Sequence, residues 1–411
     1  MKYNTHTLNC GLRVIHLPSD SHVVYLGYQI ATGTRHEEAG EEGLAHFCEH
    51  VSFKGTEHRR AWHILNCLES VGGDLNAFTN KESTVYYSAI LKEHVGRAVN
   101  LLTDIVFHSV YPQQEIDKEV EVICDEIESY NDSPAELIFD DFENILFDGH
   151  PLGHNILGTA DRVRHFTTAD ALRFTKKGYK PQNMVFFIYG DINFSRLVKT
   201  LERLLSDYPS ALPLLKPAPK DFAFAPLKSN EVIHNRNTHQ AHVMIGARAY
   251  NAYDDERRMP LYLLNNILGG IGMNSLLNVA LREKRGLVYT VESSLISYSD
   301  TGLWCIYLGC DESDISKCLK IVRRYMNRMV EEPLSERQLL AAKKQIKGQI
   351  GVSCDNRESF ALDFGKTFLN FNKEKHLSKL FEQIDAISSA DIQHAAEDIF
   401  NENKTLTLIY K

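Results

Sequence analysis

Nothing in this chain of 411 residues approaches the run of roughly 20 apolar residues that a membrane span needs, so no membrane-crossing segment is expected. CxxC pairs are also missing. The eight cysteines, at positions 10, 48, 67, 124, 305, 310, 318 and 354, sit mostly inside apolar stretches, which favours reduced core thiols over a disulfide framework. There is no basic excess: 45 Lys and Arg face 54 Asp and Glu, and the net charge of -9 argues against nucleic acid, which rewards cationic surfaces. The opening MKYNTHTLNCGLRVIHL lacks a secretory apolar core, so a cytoplasmic protein is expected. Proline is sparse, with 12 in all, and clusters without periodicity in PSALPLLKPAPKDFAFAPLKSN. That cluster marks a linker at residues 211–230.

What is present is enough apolar material for more than one core: 43% of residues are hydrophobic and 10% aromatic. Strand-like segments occur at GLRVIHL, VVYLGYQIAT, TVYYSAIL and MVFFIYGD. Helical patterns occur around EEGLAHFCEHVSF, RRAWHILNCLESV, KEHVGRAVNLLTDIVF and FSRLVKTLERLLSDY. After the linker the plan repeats, with AHVMIGARAY as a strand and RRMPLYLLNNILGG as a helix ended by glycines. YTVESSLISY and GLWCIYLGC follow as strands, long helices fill residues 312 to 398, and TLTLIYK closes the chain. Strands and helices come in blocks rather than strict alternation. This predicts an α+β protein of two homologous α/β-sandwich domains, each a mostly antiparallel sheet with helices packed on it, at residues 1–210 and 231–411.

Residues 46 to 50 read HFCEH. Positions i and i+4 of a helix share a face with Cβ atoms about 5–6 Å apart, so His46 and His50 can converge on one ion. Neutral imidazoles suit zinc, which in catalytic sites takes three protein ligands and leaves one position for water. Glu49, three residues after His46, lies near the same face, where it would accept a proton from that water. Cys48 is about 200° round the helix from His46, so its sulfur points away and is assigned to packing. HxxEH, the reverse of HExxH, is the inverzincin signature. Composition alone would produce it in roughly one such chain in twenty, so the motif needs support from a third ligand.

The segment EIDKEVEVICDEIESYND supplies candidates. Ile116, Val120, Ile123 and Ile127 form a buried helical stripe, and Glu119 and Glu126, seven residues apart, stack beside it. Spacing does not choose between these two acids.

Taken together, these motifs resemble the pitrilysin family of zinc peptidases, which includes insulin-degrading enzymes and mitochondrial processing peptidases. The shared phrases are ATGTRHE at 31–37, HFCEHVSFKGT, GGDLNAFTNKESTVYY, MVFFIYGD and LGGIGMNSLLNVALREKRGLVYTVESS. The family places a distal glutamate about 76 positions after the second histidine, and an acid seven before it. The resemblance therefore implies His46, His50 and Glu126 as ligands of one Zn2+ per subunit, Glu49 as general base, and Glu119 as a carboxylate that orients a ligand. It implies Arg282 and Tyr289 as donors to the oxyanion that forms on the peptide carbonyl. Asn76, Ala77 and Phe78 would lie on an edge strand that pairs with an extended peptide.

Longer family members close four such domains as a clamshell around a chamber, with zinc in the first and the Arg/Tyr pair in the last. This chain has length for two domains yet carries both motif sets. The resemblance thus implies a homodimer in which Arg282 and Tyr289 of one subunit complete the zinc site of the other. The expected activity is zinc-dependent endoproteolysis of unfolded oligopeptides. The alternatives are a processing peptidase specific for one leader peptide, or a non-catalytic family subunit.

Overall fold

The computed structural model describes every residue except 1, 215–223, 225 and 237. Half of the expected linker at 211–230, residues 215–223 and 225, therefore lies outside the described residues.

The first half contributes strands β1 (Asn4–Thr7), β2 (Arg13–Pro18) and β3 (Val23–Ile30), then helices α1 (Leu44–Ser52) and α2 (Ala61–Glu69). Strands β4 (Asp74–Thr79) and β5 (Thr84–Leu91) follow, then helices α3 (Val95–His108), α4 (Gln113–Asn131), α5 (Pro134–Leu146), α6 (Ala160–Val163) and α7 (Thr168–Gly178). Strand β6 (Met184–Gly190) and helix α8 (Phe194–Leu204) close it. The second half contains β7 (Glu231–His234), β8 (Ala241–Ala249), α9 (Asp255–Gly269), a π-helical turn at Asn278–Glu283, β9 (Val288–Ser297) and β10 (Gly302–Cys310). Helices α10 (Ile315–Glu331), α11 (Glu336–Ser353), α12 (Arg357–Phe371), α13 (Leu377–Ala386) and α14 (Ser389–Ile399) lead to the last strand, β11 (Leu406–Tyr410).

The two sheets share one topology apart from β1, an extra edge strand of the first. The first runs β1-β2-β6-β3-β5-β4 and the second β7-β11-β8-β10-β9. In each, one pair is parallel (β2 with β6, β7 with β11) and the others are antiparallel. The protein is thus α+β with two repeated sandwiches, as the blockwise pattern predicts. Central strands are buried on both faces, which is why β6 and β10 read as continuous apolar runs rather than alternating ones.

The compact units are not the two halves cut at the linker. One unit comprises Met1–Ser129, His154–Lys216 and Ser353–His376; the other comprises Tyr130–Gly153, Pro217–Val352 and Leu377–Lys411. Each half therefore lends a helix to the other unit. In the first unit, α3 covers one face of the sheet through Leu102 and Ile105, in a core with Leu26, Tyr28 and Phe186. The borrowed α12 covers the opposite face, with Phe364 edge-on to Phe187 and Tyr189. Fully burying a side chain of this size contributes roughly 1.5–3 kcal/mol. Arg13 on β2 locks α12 in place: its guanidinium, 2% exposed, donates to the carbonyls of Phe368 (2.8 Å) and Leu369 (3.1 Å) at the helix C-terminus. A cation is favourable there: the Phe368 carbonyl also accepts from the Asn372 N–H that caps the helix, the guanidinium adds a donor to both carbonyls, and its charge opposes the negative end of the helix dipole.

In the second unit, α9, α10 and α14 share a core with Val243, Ile245 and Trp304. The borrowed α5 packs Leu137, Ile138 and Phe142 on the other face, against Met244, Cys305 and Leu408. All eight cysteines are free thiols, mostly buried, in keeping with the core assignment.

Candidate metal centre

Helix α1 has no capping side chain of its own. Its N-cap, Gly43, has φ 97°, and a Cβ there would lie 2.7 Å from the carbonyl oxygen of Leu157, so a serine or aspartate cap does not fit. Phe47 and Cys48 anchor the helix: both are fully buried, in a core with Ile123 and Ile127 of α4. The Cys48 thiol faces the carbonyl of Ala171, away from the histidines' side of the helix.

That shared core sets α4 beside α1 and gathers a polar cluster. Ligand atoms of His46, His50 and Glu126 lie within 4.8 Å of one another. The Nε2 atoms of both imidazoles face the Glu126 carboxylate, at 3.7 Å from His46 and 3.2 Å from His50. Glu119 is placed differently. Its Oε1 meets His50 Nδ1 at 3.2 Å and its Oε2 pairs with Lys54 at 2.6 Å. Glu126 thus faces the ring atoms turned inward, and Glu119 the back of one ring.

Electrostatics differ sharply between the two histidines. Burial, reinforced by neighbouring His50, lowers the pKa of His46 to about 4, so its ring is neutral and keeps a lone pair available at neutral pH. Burial also opposes charge on His50, but the carboxylates of Glu119 and Glu126 outweigh it and raise its pKa to about 9. Glu126 is correspondingly held below the ordinary carboxylate range, chiefly by its bond to His50. Two imidazole nitrogens and a carboxylate oxygen converging on one point are a donor set that fits zinc, with His50 giving up its Nε2 proton as the ion binds.

Glu49 lies beside the cluster and 9% exposed. Burial raises its pKa, offset in part by a 2.7 Å hydrogen bond that Thr79 donates to Oε2. Thr79 ends β4, an edge strand of the first sheet, which among the described residues pairs only with β5. Asn76, Ala77 and Phe78 all lie on that edge strand.

Arg282 and Tyr289 belong to the second unit. Arg282 is exposed on the π-helical turn, and Tyr289 opens β9, 56% exposed, donating its hydroxyl to Asp311 Oδ1 at 3.0 Å. That bond raises the tyrosine's pKa above its ordinary value.

Three contributors went unmarked in the sequence: Thr79, Lys54 and Glu37. Glu37 accepts hydrogen bonds from the backbone of Gly43 (3.1 Å) and Ala45 (2.7 Å). All three sit within quoted motif phrases, but nothing in spacing alone tells a capping or orienting side chain from a surface polar one.

A helix-borne His/His/Glu cluster with a buried carboxylate beside it, set on a duplicated α+β sandwich, is the arrangement of a metallohydrolase fold. Comparison with known proteins narrows this. The family model for insulinase, peptidase family M16, matches residues 13–160, and that for the peptidase M16 inactive domain matches residues 165–346. The chain is 31% identical over 409 residues to an uncharacterized zinc protease, YmxG, of Bacillus subtilis, covering 98% of this chain and 97% of that one. It is 33% identical over 377 residues to an uncharacterized zinc protease of Rickettsia bellii, covering 92% and 90%. In fold it is similar to a protease from Helicobacter pylori, with a TM-score of 0.90 at 20% identity over 100% and 99% of the two chains. The chain belongs to the M16 peptidase family. No helix among the described residues is long and apolar enough to cross a membrane.

Proposed function

We propose that the protein is a zinc-dependent endopeptidase acting on unfolded oligopeptides. The observation that carries this reading is the convergence of His46 Nε2, His50 Nε2 and the Glu126 carboxylate beside a buried, hydrogen-bonded Glu49.

His46, His50 and Glu126 would hold one ion per subunit. Bound zinc supplies Lewis acidity, which lowers the pKa of water and polarises a carbonyl. The remaining work falls to side chains. Thr79 fixes Oε2 of Glu49, leaving Oε1 to take a proton from the attacking water and return it to the leaving amine nitrogen. Burial makes that carboxylate a stronger base than an exposed one. Glu119 accepts from His50 Nδ1, which fixes the tautomer and keeps Nε2 turned toward Glu126.

The free edge of β4 at Asn76, Ala77 and Phe78 would pair with an extended peptide, so affinity comes from backbone hydrogen bonds with little sequence demand. Arg282 and Tyr289 would donate to the oxyanion, reaching the site of the partner subunit in a homodimer. A closed chamber, which the family likeness implies, would exclude folded proteins.

The test is Glu49→Gln. The variant is expected to keep zinc at wild-type stoichiometry and to lose nearly all cleavage of a mixed peptide library. Full turnover in the variant would sink the assignment of the base.

A further inference from the structure

We infer that Glu37 is a positioning residue for the metal centre, its buried carboxylate setting the start of α1 and hence the placement of His46; the inference rests on the zinc reading above. The first backbone N–H groups of a helix have no partner within it. In α1 the N-cap glycine has no side chain to offer, and the close approach of Leu157 leaves no room for one. Glu37, six residues upstream, fills the role from outside the helix. Oε1 accepts from Ala45 N–H and Oε2 from Gly43 N–H, while Leu44 N–H goes to the carbonyl of Glu41. Ala45 directly precedes His46, so the carboxylate is bonded one residue from the first histidine.

A buried charge persists only when fully partnered. The Glu37 side chain is 1% exposed, and its third partner is His154 Nε2, which donates to Oε2 at 2.9 Å. Burial pushes the Glu37 pKa up, and the histidine and the two amides pull it back. The negative charge also faces the positive end of the α1 dipole.

The same network reaches the strand that holds the base. Lys81, 3% exposed, donates its ammonium to the carbonyl of His154. Thr34 N–H bonds the carbonyl of Asn80 at 3.2 Å, and Arg35 N–H that of Lys81 at 2.8 Å. Segment 33–37 is thus laced to the turn that follows Thr79, the residue bonded to Glu49. One carboxylate thereby ties the start of the ligand helix to the strand end that orients the base.

Glu37→Gln tests this in the full chain. Glutamine matches the shape but replaces one acceptor oxygen with an NH2 donor, which must confront an N–H of Gly43, Ala45 or His154. Zinc affinity, measured by competition with a chromophoric chelator, is expected to fall 10- to 100-fold. The visible absorption of the cobalt(II)-substituted protein is expected to shift, because it reports ligand geometry. Leu201→Ala, a core truncation in α8, serves as the stability control: it should lower Tm while leaving zinc affinity and the cobalt spectrum unchanged. Wild-type affinity and spectrum in Glu37→Gln would overturn the inference, as would an equal loss in Leu201→Ala. Should Glu37→Gln fail to fold, His154→Ala replaces it. That variant removes the third partner and leaves both helix bonds, so affinity should fall several-fold, and wild-type affinity would again refute the role. A wild-type chain that binds no zinc would overturn the metal reading itself, a distinct result from a wild-type-like Glu37→Gln.

Discussion

Replacing Thr79 by valine removes one hydroxyl and leaves the branched shape of the side chain in place. The hydroxyl donates to Glu49 Oε2 at 2.7 Å, and both residues are only 9% exposed, so water does not readily substitute for it. A hydrogen bond to a charged group contributes about 1.5–3 kcal/mol. That bond is made before the proton is taken as well, so what reaches kcat is the lost orientation of the base, and a misplaced base lowers kcat by about 10- to 100-fold, at about 1.4 kcal/mol per decade. The pH profile carries a second signature. Burial raises the Glu49 pKa and the Thr79 bond lowers it, so the valine variant has a still higher pKa. Glu49 acts as a base in its ionised form, hence the acid limb of the rate profile moves to higher pH and the deficit shrinks as pH rises. Thr79 donates its hydroxyl to Glu49 and not to any of the three candidate ligands, so zinc content should not change. Thr79→Ser keeps the hydroxyl and should recover most of the rate. The assay is steady-state cleavage of a quenched fluorescent peptide across pH, with metal content measured in parallel. Wild-type kcat and an unmoved acid limb in Thr79→Val would refute the coupling of strand to base, and so would failure of serine to rescue.

Mixing Glu49→Gln chains with Arg282→Ala chains should restore roughly one competent site per mixed dimer if the Arg/Tyr pair acts across a two-fold interface; no recovery despite demonstrated subunit exchange would exclude sharing. Arg13→Met keeps the apolar stem but strips the Leu369 carbonyl of its side-chain donor and leaves that of Phe368 with the Asn372 N–H alone, at about 1–3 kcal/mol in all, so calorimetry should show Tm lower by about 2–12 °C. Burial would raise the pKa of Asp104, but hydrogen bonds from Thr56, His58 and Arg59 hold it below its ordinary value. Its folded pKa being depressed, its contribution to stability is complete above the unfolded value of about 3.9 and is lost as pH falls below that. Asp104→Asn should therefore be less stable than wild type at pH 7, with the gap closing on acidification; a constant gap from pH 7 to pH 2.5 would contradict this.

Much of the architecture was legible because hydrophobic periodicity reports it directly. TVYYSAIL is β5, MVFFIYGD contains β6, and GLWCIYLGC is β10, each placed by an apolar run of strand length. The repeat of strand and helix blocks after the prolines corresponds to two sheets of one topology. The exchange of α5 and α12 was not legible. The Phe360, Phe364 and Phe368 stripe says that one face of α12 is buried, but a stripe carries no address, and any sheet face of suitable width would accept it. At the candidate site, the acids seven residues apart were visible as neighbours of one helical stripe, but their division between His50 Nδ1 and the two Nε2 atoms depends on where α1 lies across α4, a long-range fact. Glu37 and Thr79 were missed because an orienting role is defined by the partner, and the partner is six residues away in one case and thirty in the other.

The exchanged helices also bear on how the chain comes into being. Synthesis proceeds from the N-terminus at about 5–20 residues per second, and domains ordinarily fold as they emerge. Here the last strand of the first sheet ends at Gly190, but α12, which covers one face of that sheet and accepts from the Arg13 guanidinium, ends at Phe371. For the roughly 180 intervening residues, roughly 9 to 36 s of translation, Phe187 and Tyr189 have no helix to cover them. The nascent first sheet therefore keeps that apolar face exposed until α12 emerges. A gene split at the proline-rich linker would make that delay permanent in each fragment until its complement arrived.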